Sequence, residues 1–220
     1  VSLEGYVYHG EVHVMGILDA VMFPHSISFR RFQYPSRLSD AVQARMADLA
    51  RRLMTGIGYD EAPFNIELFY DARTDRIHVI EVNPKIASQF TDLIAKVDGQ
   101  SSFAVLLQLA AGDEPSFAKG EGRFAVAGSC VLRTFEDKRV LAVPTQADID
   151  RLVAEFPETT IEIHATPGRK LSEQMQDSHS YRYGLVHVGA ASERELEEKF
   201  THIAERLRFE FEPLQSKTAA

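Results

Sequence analysis

Residues 64–71 (Phe-Asn-Ile-Glu-Leu-Phe-Tyr-Asp) and 76–83 (Arg-Ile-His-Val-Ile-Glu-Val-Asn) are two alternating, β-rich runs with a short gap between them. This pattern restricts the fold more than any other stretch of the chain. Side chains on a strand point to opposite faces in turn. Phe64, Ile66, Leu68 and Tyr70 therefore share one face, and Asn65, Glu67, Phe69 and Asp71 the other. On the second run His78, Ile80 and Val82 are expected together, and Ile77, Val79, Glu81 and Asn83 opposite them. A turn centred on Thr74 sets Glu67 across from Glu81 and Asn65 across from Asn83, with Ile66 and Leu68 meeting Val82 and Ile80 on the reverse. Directly opposed residues have Cβ atoms roughly 4.5–5.5 Å apart, where like charges repel. The glutamate pair needs a compensating cation, and no Lys or Arg shares its face. Mg²⁺ suits it, since that ion takes one or two carboxylates plus water and phosphate oxygens. Asn83 would add a neutral oxygen, and Lys85, just past Pro84, a phosphate-facing cation. The alternative is a solvated strand face on which two glutamates hold nothing; the apolar neighbours Phe69, Ile77 and Val79 weigh against it.

The rest of the chain supplies a frame for this hairpin. A first hairpin is expected over 3–8 and 11–18 around His9-Gly10, then an irregular stretch over 22–37 broken by Pro24 and Pro35. A helix over 40–55 carries Val42, Met46, Leu49 and Leu53 at helical spacing and ends at Gly56 and Gly58. Two short helices, over 87–96 and 102–110, flank Asp98-Gly99. Residues 113–122, rich in Gly, Asp, Glu, Pro, Ser and Lys, form the best boundary. Beyond it, strands are expected over 124–134, 139–143, 160–164 and 181–188, and helices over 147–155 and 193–208. The last helix opens on the capping box Ser192-x-x-Glu195 and carries a stripe of Leu196, Phe200, Ile203 and Leu207. The organisation expected is residues 1–112, a linker over 113–122, a smaller α+β domain over 123–215 and a loose tail over 216–220. Because the chain opens at Val1 directly into a strand, we expect the natural protein to continue upstream.

A net charge of −8 over 220 residues argues against general affinity for nucleic acid or an anionic membrane. It leaves a nucleotide ligand open, because local dipoles and metals override net charge. No run of about 20 apolar residues suggests a transmembrane helix. The single cysteine, Cys130, excludes an internal disulfide, fits a cytoplasmic setting and reads as a buried core thiol.

Glu67, a short hairpin and then Glu81-x-Asn83-Pro84-Lys85 together resemble the magnesium-binding signature of the ATP-grasp superfamily. The run 2–7 resembles the strand that opens the C-terminal ATP-binding lobe, and 56–59 the end of the helix before the signature. Residues 89–99 and 106–112 are similar to the helical segment after it. Tyr181-Arg182-Tyr183-Gly184-Leu185-Val186 and the following helix resemble the C-terminal domain of the biotin-carboxylase-like and L-amino-acid-ligase-like members. The resemblance implies an α+β fold: the C-terminal lobe of an ATP-grasp domain, an antiparallel sheet with packed helices, plus a smaller C-terminal α+β domain that helps close the site. It implies an ATP- and Mg²⁺-dependent carboxylate–amine ligase (with Mn²⁺ as a possible substitute) acting through an acyl phosphate. Glu67, Glu81 and Asn83 would hold the metal, with Glu4 and Lys85 beside the nucleotide; Lys85 and Arg31 would serve the chemistry. Lys85 stands where the family usually has Arg, and a point charge lacks the bidentate fork.

The resemblance also implies partners: ATP, a small carboxylate, an amine, and the N-terminal part of the same protein, whose lobe covers the nucleotide. The chain alone is then expected to bind ATP weakly and turn over nothing, and a homo-oligomer remains open. Glu4 reads either as a site residue or as a strand-edge charge, and Arg30 and Arg31 either as phosphate or substrate contacts or as a solvated loop. Ser88, Gln89 and Arg182 are candidates for the substrate side. His13, His78, His164 and His187 have no metal-ligand spacing, and the run 177–180 does not make a triad. Two rivals remain: a non-catalytic ATP-grasp-derived binding module and a metal-dependent hydrolase, the latter lacking the extra His or Asp ligands it would need.

Overall fold

The structure, a computed structural model, describes all residues except Met175, Ser178 and 215–220. The tail expected over 216–220 and Ser178 of the run 177–180 lie outside the described residues. The chain divides into two compact units, the first made of Val1–Ala20 with Phe32–Ala127, the second of Val21–Arg31 with Gly128–Ala220. Both are α+β.

In the first unit, strands β1 (Ser2–Tyr8) and β2 (Glu11–Met22) form the expected hairpin, with Tyr8 opposite Glu11. His9 and Gly10 both take positive φ, 50° and 78°, as a type I′ two-residue hairpin turn requires. The stretch expected to be irregular instead contains a strand, β3 (Phe29–Tyr34), whose residues from Phe32 on belong to this unit. Its aromatic content favours a pleated surface, and the flanking Pro24 and Pro35 bound it without interrupting it. Helix α1 (Asp40–Gly56) follows, then β4 (Ala62–Asp71), β5 (Arg76–Asn83), α2 (Ser88–Asp98) and α3 (Ser102–Ala111). The strand order is β5-β4-β1-β2-β3.

This sheet has a different partner on each face. Leu3, Val7, Phe64, Ile66 and Leu68 pack on the α1 residues Val42, Met46, Ala50 and Met54, spaced one turn apart. On the opposite face Tyr6 and Met15 meet Val105 and Leu109 of α3, while Leu18 and Tyr34 meet Phe90, Leu93, Ile94 and Val97 of α2. Gly16 is obligatory there, since a Cβ on it would come 2.5 Å from the Tyr34 ring. Residues 113–122 lie in this first unit, held by Gly120 N donating to Asp98 Oδ1 (2.8 Å) and Gly122 N donating to the Val97 carbonyl (2.9 Å).

The second unit contains β6 (Val126–Thr134, apart from its first two residues), β7 (Lys138–Ala142), α4 (Gln146–Glu155), β8 (Thr160–Ile163), β9 (Gln176–Asp177), β10 (Ser180–Ala190), α5 (Glu193–Arg206) and β11 (Glu210–Pro213). Its strand order is β6-β10-β8, with β9 on β10 and a separate β7–β11 pair. The α5 stripe is buried at Leu196, Ile203 and Leu207, and Leu196 lies over Gly128 of β6. The capping box is half made: Ser192 Oγ accepts from Glu195 N (3.2 Å), but the Glu195 carboxylate reaches back to Ala191 N. Cys130 is buried, and burial pushes its thiol up to about 12. It is a core residue, as its apolar surroundings suggest.

Ile66 joins both strand pairs, opposite Leu3 on one side and Val82 on the other, and is fully buried. Ile66→Ala should therefore lower unfolding stability by about 2–5 kcal/mol in urea titration, as for other buried aliphatic truncations.

Candidate functional site at the β4–β5 hairpin

The register of the hairpin matches the alternation at its inner end. Glu67 is directly opposite Glu81, Asn65 opposite Asn83, and Ile66 opposite Val82. Farther out a β-bulge intervenes, so that Leu68 faces Val79, Phe69 faces His78 and Tyr70 faces Ile77. The expected pairing of Leu68 with Ile80 is therefore corrected. Ile80 is the extra residue, and past it each side chain of β5 changes face. Ile77 packs with Tyr70 on the α1 core, so Ile77 and Val79 do not share the glutamate face. Ile80 is 63% exposed and Phe69 56%, leaving apolar surface beside the acidic pair on an edge strand.

Glu81 is exposed and Glu67 half-buried. Burial first, and then the charge of Glu81, hold the Glu67 carboxyl above the usual range. Asn83 donates its amide nitrogen to Glu81 Oε1 at 2.8 Å, so its carbonyl oxygen is the atom left for coordination. Among the described residues no three of His, Cys, Asp and Glu converge on a common point. Two carboxylates and an amide oxygen fit Mg²⁺, which takes its remaining ligands from water and phosphate, but would be too few for an all-protein Ca²⁺ cage.

Of what lies behind the pair, the sequence marked Glu4 as a candidate but not its partners. Ser2 and Glu4 of β1 share its face, since Ser2 pairs with Glu67 and Glu4 with Asn65. Glu4 is fully buried. Its Oε1 accepts from Asn65 Nδ2 (2.7 Å) and from the backbone N of Ala87 (3.1 Å), while Oε2 has no partner. Asn65 Nδ2 also donates to Ser2 Oγ at 2.6 Å. Glu4 thus ties β1 to β4 and to Ala87, the N-cap of α2, at the end of the short link that carries Pro84 and Lys85. The signal available in the sequence was the polar pair Ser2 and Glu4 at alternate positions of an otherwise apolar strand.

Lys85 is exposed, two residues past Asn83. Ser88, the first residue of α2, is exposed, and Gln89 is half-buried. Arg31 belongs to the second unit, where its Nη1 donates to Glu197 Oε2 at 2.6 Å and its Nη2 lies 3.8 Å from Glu193. Arg30 also pairs with Glu197. Arg182 is half-buried on β10. His13 stacks on Tyr6 with centroids 4.7 Å apart, a packing role.

The architecture has well-matched solved counterparts. Over 96% of its length the chain superposes on 53% of phosphoribosylglycinamide synthetase from Anaerococcus prevotii, with a TM-score of 0.76 and 11% identity. It covers 51% of L-amino acid ligase from Bacillus licheniformis at TM-score 0.75 and 16% identity, again over 96% of its own length. The same share of the chain matches 45% of the biotin carboxylase domain of Hydrogenobacter thermophilus 2-oxoglutarate carboxylase, solved with Mg–ADP, ADP and bicarbonate, at TM-score 0.67 and 13% identity. The chain thus spans about half the length of these structures, and its fold is that of the corresponding portion of the ATP-grasp ligases. No protein-family model matches the sequence, and no curated protein matches it.

Burial raises Glu4 from 4.5 to about 7, so the folded chain keeps a proton that the unfolded chain releases. Stability is then lost as pH rises from about 4.5 through about 7, by about 3 kcal/mol when complete. Glu4→Gln retains an acceptor for Asn65 and Ala87 and cannot ionise. Urea unfolding of the two proteins at pH 5 and pH 8, in metal-free buffer, should show a smaller loss for the variant. An equal loss would place the titration elsewhere.

Proposed function

We propose that this chain is part of an ATP- and Mg²⁺-dependent ligase that activates a carboxylate as its acyl phosphate and passes the acyl group to an amine. The observation that carries the reading is the Glu67–Glu81 pair, set opposite each other with Asn83 alongside. Fold similarity to three ATP-grasp ligases, one of them solved with Mg–ADP, supports it.

On this reading Glu67 and Glu81 hold the metal through one carboxylate each, and Asn83 offers its carbonyl oxygen. The metal supplies charge neutralisation between nucleotide phosphates during phosphoryl transfer. Glu4 and Asn65 fix β1 and β4 beneath the pair, so that it meets its ligand already in place. Lys85 lies close to the metal ligands in sequence and is free of the packed core, as a phosphate-binding cation must be. In the reaction a carboxylate oxygen attacks the γ-phosphorus and ADP departs. The amine nitrogen then attacks the acyl carbon, phosphate leaves, and the amine gives up a proton. Arg31 would enter only by exchanging its ion pairs with α5. The hydrolase alternative lacks support, because the described residues offer no third ionisable metal ligand.

The test is thermal unfolding with and without millimolar Mg–ADP. We expect a Mg²⁺-dependent rise in Tm that Glu81→Gln and Glu67→Gln both abolish. In EDTA, Glu67→Gln should melt no lower than the parent, because it relieves a like-charge contact. A rise that survives both substitutions would move the nucleotide away from the hairpin. No rise at all would count against the reading.

A further inference from the structure

Four residues, Pro84 to Ala87, join the end of β5 to α2, and Lys85 is the cation among them. Lys85 is exposed, so the packed core does not hold its side chain. Its place is set by the backbone on either side. At one end the link leaves the sheet at Asn83, whose partner across the strand pair is Asn65. At the other end stands Ala87, the N-cap of α2, which has no side-chain acceptor with which to fix the helix start.

The acceptor at that point comes from β1. Glu4 Oε1 takes the Ala87 N–H at 3.1 Å and the Asn65 amide at 2.7 Å. One oxygen therefore reaches both ends of the link, directly at Ala87 and through Asn65 on the strand facing Asn83. Asn65 is itself 3% exposed and donates also to Ser2 Oγ at 2.6 Å, so it is not free to turn away. Ile86 and Ala87 touch the apolar clusters of α3 and α2 as well. Such contact is non-directional and holds the link down without fixing where it points; the hydrogen bonds give it a direction. Glu4 is fully buried. The resemblance places it beside the nucleotide, but a buried carboxyl can act there only through what it holds.

We propose that Glu4 is a positioning residue for Lys85: through Asn65 and Ala87 it fixes the link so that the ammonium faces the phosphate carried by the metal at Glu67 and Glu81. This rests on the ligase reading, which supplies the phosphate. A cation already held at its phosphate loses less freedom on binding than one recruited from a loose link.

The test is the affinity of the chain for two probes. One is Mn²⁺ alone, followed by water-proton relaxation. The other is the Mg²⁺ complex of AMPPNP (ATP with NH as the β–γ bridge), followed by amide chemical shifts. Lys85→Met should weaken Mg–AMPPNP roughly tenfold, the worth of one hydrogen bond to a charged group, and should not weaken Mn²⁺. Glu4→Ala should do the same. In the double variant the losses should not add, leaving it within about twofold of the weaker single variant. Glu4→Gln keeps an acceptor for both donors and should stay within about twofold of the parent, which separates positioning from charge. Glu4→Ala opens a cavity and can unfold the chain, so Ala87→Pro gives a second route. It deletes the N–H that Glu4 accepts, at a φ of −89° and at a helix start, where proline is tolerated. It should show the same loss of Mg–AMPPNP affinity and the same non-additivity with Lys85→Met. Additive losses, a Glu4→Gln loss equal to that of Glu4→Ala, or weakened Mn²⁺ binding in Ala87→Pro would overturn the proposal. Mg–AMPPNP affinity that needs Glu81 but is indifferent to Ala87→Pro would overturn it too and leave the ligase reading standing. Affinity independent of Glu67 and Glu81, or no binding, would remove the ligase reading and the proposal with it.

Discussion

Two carboxylates held across a strand pair repel, and the first unit is arranged so that they cannot move apart. Glu67 and Glu81 are fixed by what lies on the reverse of the same strands: Ile66 and Leu68, fully buried against α1. Slipping the register by one residue would relieve the repulsion but turn those side chains out of the core. Each is worth about 1.5–3 kcal/mol of burial, more than an opposed like-charge pair near solvent costs. The hydrophobic face therefore sets the register, and the charge pair is carried with it.

The polar layer beneath the pair works by a different balance. Glu4 is buried with one oxygen doubly bonded and the other without a partner, and burial raises its pKa to about 7. A buried acceptor left unmade costs stability. Protonation removes part of that cost, and so would a donor or cation reaching Oε2. In exchange the carboxylate joins β1, β4 and the start of α2 through Asn65 and Ala87. β4 carries Glu67, β1 pairs with it, and α2 follows the strand that carries Glu81. The segment bearing Lys85 is thus anchored at its far end by a side chain on a strand more than eighty residues earlier.

Much of this was legible in the sequence, for a definite reason. A period of two and a short turn are local properties, so they place Glu67 opposite Glu81 and Asn65 opposite Asn83. The bulge was not legible, because Ile77-His78-Val79-Ile80 remains a good β sequence with or without an extra residue. One residue out of step was enough to move Ile77 and Val79 to the other face. Strand β3 was hidden by the prolines on either side of it, and β11 by its shortness. The partnership of Glu4 with Asn65 depends on β1–β4 pairing across some sixty residues, which no local pattern specifies. The loop over 23–28 read as an irregular stretch, and only its hydrogen bonds show that it is fixed.

The bulge also bears on how the hairpin meets a ligand. β5 is an edge strand, and a long flat edge with exposed Ile80 and Val82 invites pairing with another strand. An extra residue next to the acidic pair breaks the row of edge hydrogen-bonding groups and increases local twist. Ile80 stays exposed beside the carboxylates, while the edge becomes a poor template for a strand. On the proposed reading this suits a ligand with an apolar ring and an anionic tail better than it suits a metal alone. Two carboxylates and one amide oxygen leave Mg²⁺ short of its octahedron. On that reading phosphate oxygens would complete it, so metal and nucleotide would each bind more firmly in the other's presence, without the protein providing a full cage.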